Sequence, residues 1–451
     1  PIPNPQSPIP NPQSPIKIDF GLTDLKIKLI LFFFIFKIKI KNMEERENKV
    51  KISYETLWKF IIRPPRDIYP VSYLGRPYFQ FRGRNYIRKD YDLISSQGYK
   101  MKCSLIEPEP YFRPSKEMPV VVYLHGNASC RLEGLRTLNI LLPYNINLFI
   151  VDLPGCGLSE GEYISLGYYE SYDVGIIIDF LENLPGVGKI GLWGRSMGAA
   201  TTLIYAHRDK RVKAICMDSP FADFYRLAKE LTKRTINIPD ILISGALGII
   251  RRTILSKNGM DISKLNPIEK AEKTFQPAIF VHAINDQLID KQHSMDIFDI
   301  YGGEKSLKLS EIGGHNSKRP KRIVKEIGKF FSKYLSNDSY EFKFTNNLLK
   351  NNGDEDGIDE EILDMGEYFR NEEFKNKIQN SKINHNKNNI SIDIDKSYDF
   401  KIGEVSKDEY ISQKEEEEKK NLDEFKNILK NINPNEIEKD NIDLNSTSDK
   451  I

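Results

Sequence analysis

Lys189-Ile-Gly-Leu-Trp-Gly194-Arg-Ser196-Met-Gly198-Ala-Ala200 is the stretch on which the reading of this chain turns. Its first five residues form a short apolar run of the kind that fills a parallel strand buried on both faces. The small residues after Ser196 suit a helix start. Between the two, G-x-S-x-G compresses strand into helix within one tight turn, where neighbouring Cβ atoms would collide. Gly194 and Gly198 carry none. A serine held in such a turn stands above the carboxyl edge of a sheet, so Ser196 is the candidate nucleophile.

The same alternation of short apolar runs and longer amphipathic stretches extends outward from about residue 54 to 336. Val120–Leu124, Leu148–Val151, Lys189–Trp193, Val212–Met217 and Ala278–Val281 read as central strands. Arg131–Leu142, Tyr168–Leu184, Gly198–His207 and Gln292–Tyr301 read as helices between them. That is the βαβ pattern of a mostly parallel sheet with helices on both faces. Tyr91–Ser95 and Lys100–Ile106, separated by Gln97-Gly98, predict an antiparallel hairpin at the sheet's edge.

A serine hydroxyl needs a base, and the base needs an orienting acid, in the chain order Ser, acid, His for this kind of sheet. Asp286 lies just past the strand Ala278–Val281, and His315 follows another strand, Leu307-Lys-Leu-Ser310, and the pair Gly313-Gly314. Asp218, also beyond a strand, is the main rival for the acid, and Asp290 a lesser one. His282, inside a strand, reads as a support for the acid loop; His293 and His207 read as packing or surface residues. A tetrahedral intermediate also needs preorganised donors. Tyr123-Leu-His-Gly-Asn127-Ala-Ser129 follows the strand expected to be third in the sheet, which makes the N–H groups of Asn127 and Met197 the candidate oxyanion hole.

The segments His125-Gly-Asn127, Asp152-Leu-Pro-Gly-Cys-Gly-Leu-Ser-Glu-Gly161, Gly194–Gly198, Asp218-Ser-Pro-Phe221, Asn285-Asp286 and Gly314-His315-Asn316 together resemble the serine aminopeptidase-like α/β-hydrolases. That group stands between prolyl-oligopeptidase-type hydrolases and membrane-associated depalmitoylating thioesterases. Phe60-Ile-Ile-Arg-Pro-Pro65 and Gly191–Gly198 are similar to a plant and protist branch of it. The resemblance covers about residues 54–336. It implies the α/β-hydrolase fold and cleavage of an ester, thioester or amide through an acyl-enzyme on Ser196, His315 and Asp286, with no metal and no cofactor. The substrate would be a small molecule, a lipid acyl group or a peptide. The depalmitoylating enzymes are tethered through an N-terminal cysteine cluster, whereas no cysteine precedes Cys103 here. The interval 221–276 is expected to form a small helical cap. A non-catalytic protein that kept the fold and binds partners is the alternative of another class; the presence of elbow, acid, histidine and oxyanion loop weighs against it.

The ends of the chain read differently. Pro1–Ser7 is repeated as Pro8–Ser14, and Leu29–Phe36 is an apolar run too short to span a bilayer. Residues 1–42 are therefore expected to be a low-complexity or untranslated extension, with Met43 the natural start, and no stable membrane insertion is expected. Residues 337–451 hold 17 Lys/Arg and 29 Asp/Glu, a net charge of −12, which leaves +14 on residues 1–336 of a chain whose total is +2. This Asn-, Lys- and Glu-rich stretch has few apolar residues to offset ordering entropy, so disorder is the expectation, with a protein partner its candidate role. The basic body carries no nucleic-acid-reading motif, and no nucleic-acid partner is expected. Cys103, Cys130, Cys156 and Cys216 are too sparse for a disulfide framework or a paired zinc site; with no spanning run and no evident cleavable signal, a cytoplasmic location is the expectation.

Overall fold

The computed structural model describes residues 54–235, 239–336 and 369. The expectations for residues 1–42 and for the tail, apart from Phe369, lie outside these described residues. Among the described residues nine strands form one sheet: β1 (Tyr78–Phe81), β2 (Arg84–Ile94), β3 (Lys100–Pro108), β4 (Met118–Leu124), β5 (Asn147–Val151), β6 (Val187–Arg195), β7 (Val212–Asp218), β8 (Ala278–Ala283) and β9 (Lys305–Ser310). Their spatial order is β1-β2-β3-β5-β4-β6-β7-β8-β9. The neighbours from β5 to β9 run parallel, and β1, β2 and β3 join antiparallel at one side.

The central strands are mostly apolar because both faces are covered. Side chains alternate across a strand, and the two cores show it residue by residue. Val120, Val122, Leu124, Phe149, Leu192, Ile215 and Phe280 enter one core; Val121, Tyr123, Ile150, Trp193, Cys216 and Ile279 enter the other. The first face is covered by α1 (Tyr54–Ile62), α2 (Glu170–Glu182) and α3 (Met197–Ala206). Residues 221–276 hold α4 (Phe224–Thr235) and α5 (Asp240–Asn258), which add Phe224, Ile250 and Ile254 to the same core. After α6 (Lys291–Ile300), α7 (Lys321–Leu335) lays Ile323, Ile327, Phe331 and Leu335 on the second face. Their four-residue spacing is the stripe a packed helix needs.

Three details depart from the sequence reading. A short strand, β1, lies outside the hairpin, so the strand expected to be third in the sheet is fourth in chain order and fifth across the sheet. The hairpin itself is longer than expected, with β2 reaching back to Arg84. The expected helix Arg131–Leu142 is a chain of short turns, 3-10 at Arg131–Thr137, α at Leu138–Leu141 and 3-10 again from Leu142. Gly134 lies so close to Ile150 and Tyr123 that the turns are drawn flat against the sheet. Separately from these elements, Phe369 of the tail is 2% exposed, with its ring edge-on to Phe79 at 5.3 Å.

Candidate active site

Ser196 closes β6 and opens α3, half-buried, with φ 52° and ψ −114°. A non-glycine residue in this region costs on the order of 1–3 kcal/mol and persists only where its surroundings enforce it. Here they do. A Cβ on Gly194 would overlap the Gly198 carbonyl, and one on Gly198 would overlap the Leu124 carbonyl at the end of β4. The turn is also pinned from the neighbouring strand, since the Ser196 N–H donates to the Asp218 carbonyl at 2.8 Å. Met197 is the first residue of α3, where the backbone N–H has no intrahelical acceptor.

The loop after β4 approaches from the other side, and a Cβ on Gly126 would stand 3.8 Å from Ser196 Cβ. Asn127 in this loop is exposed and Ala128 is left-handed, with φ 57°. His125 is fully buried: its Nδ1 lies 2.8 Å from the Gly126 carbonyl, and its Nε2 accepts the Leu153 N–H at 3.1 Å. The loop is thereby tied to the segment after β5. That segment is itself organised around buried Asp152, which accepts from Tyr69 (2.7 Å), the Arg131 N–H (2.7 Å) and the Leu158 N–H (3.1 Å). Arg66 donates to the carbonyls of Gly155, Ser159 and Gly161.

Asp286 and His315 are brought together. His315 Nδ1 lies 2.7 Å from Asp286 Oδ2. Asp286 Oδ1 is occupied by the N–H groups of Leu288 and Ile289, both at 2.9 Å, so Oδ2 is the oxygen left for the imidazole. His282 backs the same oxygen: its Nε2 is 3.3 Å from Asp286 Oδ2 and 2.9 Å from the Ile289 carbonyl, while Nδ1 meets Ser294 Oγ at 2.6 Å. Burial by itself would raise the Asp286 carboxyl. The charge of His315 and hydrogen bonds from His282 and His315 outweigh it and hold the group well below the usual carboxylate range. A carboxylate on Nδ1 fixes the imidazole proton there and leaves Nε2 as the acceptor. Helix α4 lies along the acid loop and α6, with Arg226 on Asp296, Glu230 on His293 at 3.0 Å, and Arg234 on the Gln287 carbonyl at 2.7 Å.

The rival acids are engaged elsewhere. Asp218 binds Arg319, and Asp290 caps α6 by accepting the Gln292 N–H at 2.9 Å. His293, buried in α6, accepts the Ala222 N–H, and His207 meets the Ile204 carbonyl. All four cysteines are free and buried, and burial raises their thiols. Among the described residues no group of three or more His, Cys, Asp or Glu is placed to hold a metal ion, and no helix is long and apolar enough to cross a membrane.

Three residues that sequence reasoning missed join these parts. Arg195, beside the nucleophile, donates to the His315 carbonyl at 2.8 Å and to Asn316 Oδ1 at 3.0 Å. Arg319 donates to the Gly314 carbonyl at 3.0 Å while paired with Asp218. Glu133 meets Arg195 Nη1 at 3.4 Å. In sequence they are unremarked charges; only their proximity to motif residues hints at a role.

The family model described as "alpha/beta hydrolase fold" matches residues 119–240, which span β4, the Gly126 loop and the serine turn. YqkD of Bacillus subtilis is 26% identical over 224 residues, covering 49% of this chain and 70% of its own. Lysophosphatidylserine lipase ABHD12 of Gallus gallus is 29% identical over 117 residues, 25% of this chain and 30% of its own. Among solved structures, the Pyrococcus furiosus esterase Pf2001 superimposes with a TM-score of 0.46 at 18% identity, covering 60% of this chain and 99% of that one. The family match spans the serine turn and the loop facing it, and the chain has the α/β-hydrolase fold.

Proposed function

We propose that the protein is a serine hydrolase that cleaves a carboxylic ester through an acyl-enzyme. The observation that carries this reading is the 2.7 Å contact between His315 Nδ1 and Asp286 Oδ2, on a chain whose Ser196 is held at a positive φ in a strand-to-helix turn. In the proposed reaction His315 Nε2 takes the Ser196 proton as Oγ attacks the substrate carbonyl. The Asn127 and Met197 N–H groups receive the oxyanion. Collapse expels the alcohol, protonated by His315. Water then repeats the sequence on the acyl-serine, releasing the acid and restoring the hydroxyl. Asp286 keeps the imidazole in the tautomer that both halves require. An ester is favoured over an amide because a relative matched over part of the chain is a lipase.

The test is labelling of the full chain with a fluorophosphonate, mapping of the modified residue, and turnover of acyl esters, acyl thioesters and aminoacyl amides. The label is expected on Ser196, with esters the fastest class. Ser196→Ala should lose both label and turnover, since removing a triad serine costs a factor of about a million. Undiminished labelling of the alanine variant would end the proposal, and preferential amide cleavage would turn it toward a peptidase.

A further inference from the structure

Glu133 has no part in the triad, yet its carboxylate underlies the loop that would hold the oxyanion. Its Oε2 accepts the Gly126 N–H at 3.3 Å, and its Oε1 accepts the Tyr123 hydroxyl at 2.7 Å. Arg195 Nη1 lies 3.4 Å from Oε1, and the Arg195 and Glu133 side chains are only 12% and 8% exposed. The same guanidinium holds the His315 carbonyl and Asn316. One ion pair therefore spans the loop after β4, the residue beside Ser196, and the histidine loop.

The geometry matters because a peptide unit is planar. The Asn127 N–H belongs to the same unit as the Gly126 carbonyl and points the opposite way. That carbonyl is held by His125 Nδ1 at 2.8 Å and by the Ser129 N–H at 3.3 Å. The N–H of Gly126, one unit earlier, is held by Glu133. With Gly126 fixed at both ends, the direction of the Asn127 N–H is fixed too. Electrostatics constrain how a carboxylate can do this. A lone buried anion beside a developing oxyanion would repel it, and Arg195 offsets that charge. Burial would raise the Glu133 carboxyl, but Arg195 and hydrogen bonds from Ser129 and Tyr123 bring it down to about 2, so it is an acceptor at working pH.

We propose that Glu133, held by Arg195, is a positioning residue that aims the Asn127 N–H at the oxyanion; this rests on the serine hydrolase reading above. A gain of this kind exists only in the transition state, so it belongs in kcat and not in KM.

The test compares the full-length wild type with Glu133→Gln, Arg195→Lys and Ser196→Ala. Active sites are counted by fluorophosphonate titration, and each enzyme is assayed with one acyl ester and with a boronic acid whose tetrahedral adduct mimics the intermediate. Removing a whole oxyanion donor costs about 100- to 1000-fold, and mis-aiming one should cost less. Glu133→Gln is therefore expected to lose about 10- to 100-fold in kcat per labelled site, with KM within about threefold. Boronate affinity should fall by the same factor as kcat/KM. Arg195→Lys keeps the charge but loses the planar fork that reaches both loops, so a drop of about tenfold with the same split is expected. It also serves as the test if Glu133→Gln yields no folded protein. A purely structural role would lower the number of labelled sites and leave kcat per site and boronate affinity unchanged, which would overturn the proposal while Ser196→Ala remains dead. Turnover surviving in Ser196→Ala would instead overturn the hydrolase reading itself.

Discussion

Arg319 grips the carboxylate of Asp218 with two nitrogens, Nη2 at 2.7 Å and Nε at 3.0 Å from Oδ1, and both side chains are nearly buried, at 5% and 8% exposed. The pair explains why two aspartates near the carboxyl ends of neighbouring strands have different fates. Asp218 is neutralised by a guanidinium that also holds the Gly314 carbonyl, so it acts on the histidine loop through Arg319. Asp286 has its Oδ2 on the imidazole itself.

The two aspartates should therefore fail differently when each is changed to asparagine. Asp286→Asn is expected to lower kcat by about 10⁴ by favouring the wrong imidazole tautomer, with the melting temperature little changed. Asp218→Asn leaves the Arg319 charge buried without its partner and should cost stability, on the order of 3 kcal/mol, with a much smaller loss of turnover. Kinetics and thermal melts on both variants check this; the reverse ranking would move the acid to Asp218.

Much of this arrangement could be read from the chain because it rests on local rules. The central strands were legible because burial on both faces makes them short, mostly apolar runs, and the serine turn because its glycines stand where a Cβ would overlap backbone. Asp286 and His315 followed from the order rule once the strands were placed. Strand β1 was not legible: Tyr78-Phe-Gln-Phe81 is too short to show a period. Nor were Glu133, Arg195 and Arg319. Their contacts join positions 62 and 101 residues apart in the chain, and a charge that is buried only by tertiary packing looks like any surface charge in sequence.

Gly198 should tolerate no side chain at all. In Gly198→Ala the new methyl would overlap the Leu124 carbonyl and come within 2.9 Å of the His125 carbonyl. Relief requires moving either α3 or the loop after β4, and both carry proposed site residues. Turnover is expected to fall at least about 100-fold, as for loss of an oxyanion donor. A melt and an ester assay of the alanine variant check it; near-normal activity would mean that the turn relaxes without displacing Ser196.

Phe369 offers a test of how the acidic C-terminal segment relates to the body. Its ring lies 2.6 Å from where a Cβ on Gly75 would stand, so the glycine leaves the room it occupies. Burying a phenylalanine contributes roughly 1.5–3 kcal/mol. Phe369→Ala should leave turnover unchanged and raise hydrogen exchange in the backbone from Leu74 to Phe81. Exchange identical to wild type would show that the ring does not dock in solution.

Asp173 should make stability depend on pH in a direction opposite to that of most carboxylates. It lies fully buried on α2, with Oδ1 accepting the Ser96 N–H at 2.7 Å and Oδ2 lacking a partner among the described residues. Burial pushes its carboxyl from the ordinary 3.8 up to about 6, against the opposing hydrogen bond from Ser96. The folded chain thus keeps this proton where the unfolded chain has released it. Stability from this group is complete below about pH 4 and is lost as pH rises through about 6. The loss amounts to at most about 3 kcal/mol, from 1.36 kcal/mol per pH unit of displacement. Asp173→Asn cannot titrate. Its amide still offers Ser96 an acceptor but places an N–H₂ group where Oδ2 had no partner, a penalty of about 1–3 kcal/mol that does not vary with pH. The sign of the variant's stability at one pH is therefore uninformative, and the slope is the test. Urea unfolding of both proteins at pH 4, 5, 6 and 7 should show the asparagine variant gaining on wild type across that interval, with nearly all of the gain between pH 4 and pH 6.5. A difference that stays flat from pH 4 to pH 7 would mean that Asp173 titrates alike in the folded and unfolded chains, and that water reaches Oδ2.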